Sequence, residues 1–393
     1  MADSSTDKIW ILIPAARQAS GQWIDDTLKQ RAFEQGLESK VPLAGQFPRQ
    51  RLEVVRGRDP WAAVNELFYQ RGWTDGLPIM PPTPGKVAAM LASTTRGRDH
   101  VVAELEPLKG QATVEKLAIN AVMAGCAPEY FPAIIAITEA IAEPGFNLRG
   151  VQTTDENVTP LLIFSGAIVT RLGINASFGA LGPGWRANAS IGRALRLIMH
   201  NLGGGWPGAV AFAGLGQPGR YTLCLGENAA LNPWEPLRME LGYRADASTV
   251  TVMRAETAIN VTGGLEEVAS VMGSAASHFS VMHGGKVAVA LAPYVARRCA
   301  ERGMSKRNVK FWLHEHGRIA VEQWRGSWAF SVMKSANWPR WVTEAARHDS
   351  LPVVENPEDI VLFVTGGDLP IAQHAYFPTW GFPPCRITKE IIL

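Results

Sequence analysis

The stretch Leu181–Gly205, LGPGWRANASIGRALRLIMHNLGGG, decides how this chain is read. It opens on a Gly182-Pro183-Gly184 turn and then sets Ile191, Leu195, Ile198 and Leu202 on one face at helical spacing. Three glycines, Gly203 to Gly205, stop it. The reading is a strand-to-helix turn followed by a helix anchored in a core. On either side lie short apolar runs, VTPLLIFSGAIV (158–169) and RYTLCLGENAAL (220–231), whose length and composition are those of buried strands.

Working outward, the same alternation recurs. DPWAAVNELFYQRG (59–72) has Asp59 as N-cap, Pro60 at the first helical position and Gly72 at the stop. TVEKLAINAVMAGC (113–126) and PEYFPAIIAITEAIAEPG (128–145) read as two helices broken at Gly-Cys-Ala-Pro. ASTVTVMRAETAINVTGG (247–264) holds further strands, and LEEVASVMGSAASHF (265–279) is a helix. KVAVALAPYVARRCAERG (286–303) is strand then helix, residues 305–325 are a further helix, and EDIVLFVTGG (358–367) is the last buried strand. Strands alternating with helices predict an α/β protein with mixed sheets and flanking helices, in two lobes plus an N-terminal arm. The expected segments are an arm or appendage over 1–58, a mainly helical part over 59–150, an α/β part over 151–262 and a second α/β part over 263–393. The runs at 160–168 and 359–369 share an apolar strand ending in glycine, a faint sign of duplication.

Bulk properties narrow the function. With 393 residues, 47% of them apolar and 19% charged, the chain buries a large core and shows little surface charge, which fits a homo-oligomer or a hetero-complex. Five tryptophans between Trp312 and Trp341 point the same way. A net charge of +2 excludes nucleic acid as the main partner. The N-terminal apolar run IWILIPA (9–15) is short for an export signal, and no run reaches membrane-spanning length, so neither export nor a membrane partner is expected. Four scattered cysteines without zinc spacing fit a reducing cytoplasm.

The opening stretch matches the relaxed dinucleotide pattern G-x-G-x-x-G/A through Ala187, but lacks the acid expected about twenty residues on. From Asn157 to Gly226 no acid occurs at all, and the charged residues are Arg171, Arg186, Arg193, Arg196 and Arg220. Guanidiniums without local counter-ions suit an external anion. Arg186 at the mouth of a helix, beside Gly184 and with Asn188 or Ser190 as cap, is the expected anion-binding group. A small anionic organic molecule is therefore the expected ligand.

Four residues are candidates for chemistry. Cys126 lies between two helices, where a thiol near a helix N-terminus becomes a nucleophile. Asp75, in the turn-rich RGWTDGLPIMPPT (71–83), is a candidate base, and Glu227 follows a strand at a position where α/β proteins gather functional groups. His374, in GGDLPIAQHAYFPTWGF (366–382), is a candidate acid/base. An alternative is a metal-dependent enzyme using His278, His283 and His374, although their spacing is not that of a helical metal pair. Nothing in the sequence selects a cofactor.

The blocks GWTDGLPIMPPT, AVMAGCAPEYFP, GPGWRANASIGRALRL and NPWEPL resemble bacterial proteins of, or associated with, the UGSC-motif selenoprotein-like family, over Asp59 to the C-terminus. That resemblance implies thiol or selenol redox chemistry. The U-G-S-C and C-G-S-C tetrapeptides are both absent here. The expectation is thus a cytoplasmic enzyme on a small organic anion, with thiol-assisted lyase, hydrolase or reductase chemistry. A non-catalytic subunit of a larger complex is the other alternative.

Overall fold

The computed structural model describes residues 8–37, 51–380 and 383–392. Its strands are β1 (Lys8–Leu12), β2 (Leu52–Arg56), β3 (Val101–Leu105), β4 (Gly110–Thr113), β5 (Thr159–Ser165), β6 (Cys224–Gly226), β7 (Thr249–Ala255), β8 (Ile259–Thr262), β9 (Val287–Leu291), β10 (Arg318–Ala320), β11 (Ser350–Pro352), β12 (Ile360–Val364), β13 (Gln373–Phe377) and β14 (Ile387–Glu390). The α/β class holds: mixed sheets flanked by helices.

Two four-stranded sheets carry the fold, in the orders β14-β7-β5-β6 and β8-β13-β9-β12. Read in that direction both run antiparallel, antiparallel, parallel. They face each other. Leu161, Ile163, Leu225 and Met253 of the first meet Ala288, Ala290, Phe363 and Phe377 of the second in one buried cluster. Strands buried on both faces read as continuous apolar runs, as β5 and β12 do. Behind the first sheet stand the helices Val114–Met123, Phe131–Ala142 and Arg186–Asn201. Behind the second stand Leu265–Met272, Pro293–Glu301 and Lys306–His316. The layers are therefore helix, sheet, sheet, helix.

The correspondence of the two sheets is exact in register. Past β6, the Glu227 amide donates to Phe164 of β5; past β12, the Thr365 amide donates to Leu291 of β9. Matching those pairs brings Ile163 onto Ala290 and Leu225 onto Phe363, all four in the shared core. The fourth strands are exchanged: β8, three residues after β7, joins the second sheet, and β14, at the end of the second half, returns to the first.

Three expected elements change, one being the helix read over 265–279, since Leu265–Met272 stops at Gly273 and a new helix begins at His278. EDIVLFVTGG is not the last strand, since β13 and β14 follow; their half-polar sequences QHAYF and ITKE hide them. Residues 305–325 are not one helix, because Gly317 ends Lys306–His316 and β10 intervenes before Val321–Arg325. The described part of the N-terminal arm lies on its own chain: β1 pairs β2, and Ile11, Ile13 and Ala15 are buried among the helices of the first half. Residues 1–7 and 38–50 of that arm fall outside the described residues. Among the described residues no helix is long and apolar enough to cross a membrane.

Candidate functional site

The mouth of the Arg186–Asn201 helix is built differently from a capped anion site. The N-cap is Trp185, without a side-chain cap, so Asn188 and Ser190 lie inside the first turns. Asn188 is buried, accepts the Asn175 amide at 2.7 Å and donates to carbonyls of Asn175, Ala180 and Cys224 at 3.1–3.2 Å. It clamps the 175–180 loop and β6 to the helix, leaving nothing for a ligand. Ser190 donates back to Arg186 O at 2.7 Å. Gly184 has φ +116°, a turn conformation with open space around it. Arg186 lies on the surface with its Nε on Gly125 O at 3.0 Å.

The four chemistry candidates do not converge on one cavity. Cys126 lies directly beneath Arg186, but buried, with its thiol donating to Ser190 O at 3.2 Å; burial pushes it up to about 12, the reverse of an activated thiolate. Glu227 is buried and accepts from Ser165 Oγ (2.6 Å), Asn232 Nδ2 (3.2 Å) and the Leu237 amide (2.9 Å). Burial raises its pKa against the pull of Lys306, Ser165, the Leu237 amide and Arg238. It ties the end of β6 to the next segment. His374 accepts the Ala292 amide at Nδ1 (3.0 Å) and donates from Nε2 to Gly263 O (3.0 Å), so both nitrogens are committed. Burial lowers its pKa. The ring forms part of the wall of a cavity of about 370 Å³ at the C-terminal ends of the strands, with Gly179, Asn260, Thr365 and Gly367.

His278 and His283 do not join His374. His278 packs edge-on against Trp324, and His283 lies between Phe279 and Trp380. Among the described residues, no three histidine, cysteine or acidic side chains are grouped to hold a metal ion.

Asp75 lines another cavity, together with Arg196 and His200. Its carboxylate is nearly fully buried and takes Arg193 in a two-point pair, Nε to Oδ2 at 2.7 Å and Nη2 to Oδ1 at 2.9 Å. That geometry matches the planar guanidinium fork. A distant segment thus supplies the counter-ion for one arginine of the acid-free stretch. One and two turns further along the same helix face stand Arg196 and His200, which have no such partner among the described residues.

Why they point where they do follows from the helix packing. Gly192 lets the helix approach the run into β6 closely: a Cβ there would meet Thr222 Oγ1 at 2.2 Å. Thr222 in turn donates to Asn188 O at 2.6 Å. With that face seated, Arg196 and His200 look toward the residues just ahead of β6, across a cavity of about 610 Å³. Arg220 and Tyr221 close one side, and Pro207, Ala211 and Leu215 form an apolar wall.

The polar groups of this cavity are donors in excess of acceptors. Arg196 places Nε on Arg220 O at 2.7 Å and Nη2 on Thr159 Oγ1 at 3.2 Å; Arg220 places Nη2 on Glu156 O at 3.0 Å. Neither forms an ion pair among the described residues. Arg220 Nε, Gln217 Nε2 and His200 Nδ1 are buried without a hydrogen-bond partner. Burial, then repulsion from Arg220, lowers Arg196 to about 9, and burial lowers Arg220 too. His200 is pushed well below the usual imidazole value by burial and by both arginines. A buried donor without an acceptor costs roughly 1–3 kcal/mol. The cavity thus presents cationic donors for which the described residues supply no acceptor.

Of the arginines in the acid-free stretch, Arg196 and Arg220 line this cavity, whereas Arg186 lies on the surface at the other end of the helix. Arg196 and His200 stand four residues apart on one helix face. Comparison of the chain with protein-family models, curated proteins and solved structures finds no significant match.

Proposed function

We propose that this chain is an enzyme acting on a small organic anion held in the Arg196–Arg220 cavity. One observation carries the reading: a buried guanidinium, Arg196, and a half-buried one, Arg220, flank a cavity of ligand size, with no carboxylate paired to either among the described residues. The apolar wall of Pro207, Ala211 and Leu215 suits a ligand with a hydrocarbon or aromatic body behind its anionic head. His200, neutral in the empty cavity, is the group placed to exchange a proton with that head. Thiol chemistry through Cys126, which the resemblance to the UGSC-motif family implies, has no support in the burial of that thiol. The four cysteines are free and buried, in keeping with a reducing cytoplasm.

The test is calorimetric titration of the full chain with a panel of carboxylates and phosphate esters. Arg196→Met and Arg220→Met are each expected to weaken the best ligand at least tenfold, and Arg186→Met to change its affinity less than about twofold. Equal binding by wild type and both cavity variants would overturn the assignment.

A second reading has its own observation. Phe178 packs on Gly367, and with Leu181, Trp185, Leu369 and Ile371 it leaves large apolar side chains exposed beside the smaller cavity. Such a patch suits a subunit contact, in a homo-oligomer or a hetero-complex. Light scattering after size exclusion decides it: a monomer that co-purifies with nothing speaks against it.

A further inference from the structure

We infer that the Arg196–Arg220 cavity takes up one proton with its anion and that His200 is the group that holds it; this rests on the anion reading above. The imidazole lies in the cavity wall and makes no hydrogen bond among the described residues. Its ring packs edge-to-face with Trp206, ring centres 5.7 Å apart and inclined at 61°. Nδ1 is enclosed without a partner, and the residue as a whole is 9% exposed. In contrast to His374, whose two nitrogens are both engaged by backbone, nothing fixes the tautomer or charge of His200.

The groups facing it come from each neighbouring element. Arg196 lies one turn back on its own helix, and Arg220 stands on the turn ahead of β6. Asp75, from the loop ahead of the Pro84–Leu91 helix, lines the same cavity but has both oxygens on Arg193. Tyr221 is at the rim. The wall from Gly205 to Pro218 contributes no charged side chain. With the cavity empty, a proton on His200 would make a third clustered cation, so the ring is neutral. An anion between the guanidiniums offsets their repulsion of the ring and gives the imidazolium a partner. The balance is simple: neutral imidazole, one proton from solvent and one anion become an imidazolium–anion pair, with no bond made or broken in the ligand. Binding that takes up a proton weakens as pH rises, by up to about tenfold per pH unit.

The experiment uses the full chain with benzoate and sulfate, two anions that stay fully ionised between about pH 5.5 and 8. Titration calorimetry in two buffers of different ionisation enthalpy counts the protons. The expected result is uptake approaching one proton per anion, with an affinity that falls across that range. In His200→Gln, uptake vanishes and the affinity becomes flat in pH. Zero uptake by the wild type, or unchanged uptake in His200→Gln, would overturn the inference while leaving the anion cavity standing. Failure of the wild type to bind either anion at any pH would overturn the cavity itself. Should His200→Gln not fold, as judged by its melting curve, the wild-type proton count alone decides.

Discussion

The two halves of the molecule share a scaffold and differ in what is built at its feet. In the first, the run into β6 and the face of the Arg186–Asn201 helix enclose a cavity with two unpaired arginines and a free histidine. In the second, the run into β9 carries Lys286, which is paired with Asp359 just ahead of β12. The neighbouring cavity, about 480 Å³, is walled by Met282, Met333, Trp338 and Trp341, with Glu355 at its edge. Identical strand order and register thus support one half whose half-buried lysine is paired and one whose cavity arginines have no ion-pair partner among the described residues. Topology fixes where a cavity forms, and the connecting segments decide its chemistry. The exchange of β8 and β14 makes the halves one unit, since each sheet ends in a strand supplied by the other half.

That coupling can be broken most severely in the shared core. Phe363→Ala empties a fully buried ring position between the sheets and is expected to cost about 3–5 kcal/mol. If the halves are one cooperative unit, urea unfolding keeps a single transition, and amides of β5 lose hydrogen-exchange protection together with those of β9. Loss of protection confined to the second sheet would show two independent halves.

Much of this scaffold was legible in the sequence, and the reasons are local. The Arg186–Asn201 helix, β5 and β12 declare themselves because apolar period and length agree, and Asp59 and Pro60 mark their helix start by capping chemistry alone. The duplication was nearly illegible, since Ile163 and Ala290, or Leu225 and Phe363, share only burial. Pairing β5 with β12 by their glycine endings matched strands that are not equivalent. The site was half legible. A stretch without acids announced unpaired arginines, but which one a distant Asp75 would neutralise depends on packing across more than a hundred residues. The same holds for Asn188, whose side chain reads as a helix cap and proves to be an internal clamp.

A second contrast lies past the central strands. Counting on from Met253 and from Phe377, Glu256 of the first half corresponds to Trp380 of the second, which packs against His283. Burial, with Glu156 nearby, raises Glu256 from 4.5 to about 8. Its proton favours the fold fully below the unfolded value of 4.5, and that contribution is lost as the pH climbs through about 8. Glu256→Gln is therefore expected to flatten the decline of stability between those limits, a difference on the order of 5 kcal/mol. Denaturant melts at several pH values measure it; parallel curves for variant and wild type would place the ionisation elsewhere. Asp75→Asn acts on the other side of the first half. It leaves Arg193 without its carboxylate and is expected to cost about 2 kcal/mol, while benzoate affinity rises several-fold because the variant removes the carboxylate that lines the cavity and leaves the charge of Arg193 unopposed beside it. Unchanged affinity would show that Arg193 does not communicate with Arg196 and His200.

The mildest change goes furthest toward converting one half into the likeness of the other. Gln217 stands in the cavity wall, accepts the Gly219 amide at 2.9 Å through Oε1 and leaves Nε2 buried without an acceptor. Gln217→Glu keeps the shape and the accepted bond, and replaces an idle donor with a carboxylate three residues from Arg220. In effect it gives the first half the internal counter-ion that Asp359 gives Lys286 in the second. Two opposite consequences follow from one cause. Stability is expected to rise by about 0.5–1 kcal/mol, because a buried guanidinium gains a partner at modest desolvation cost. Anion binding is expected to fall at least tenfold, because that partner occupies the charge the ligand would have met. Melting and benzoate titration on the same sample read both. A carboxylate that stabilises the fold without weakening binding would mean that Arg220 holds no ligand, and the difference between the halves would then be one of packing alone.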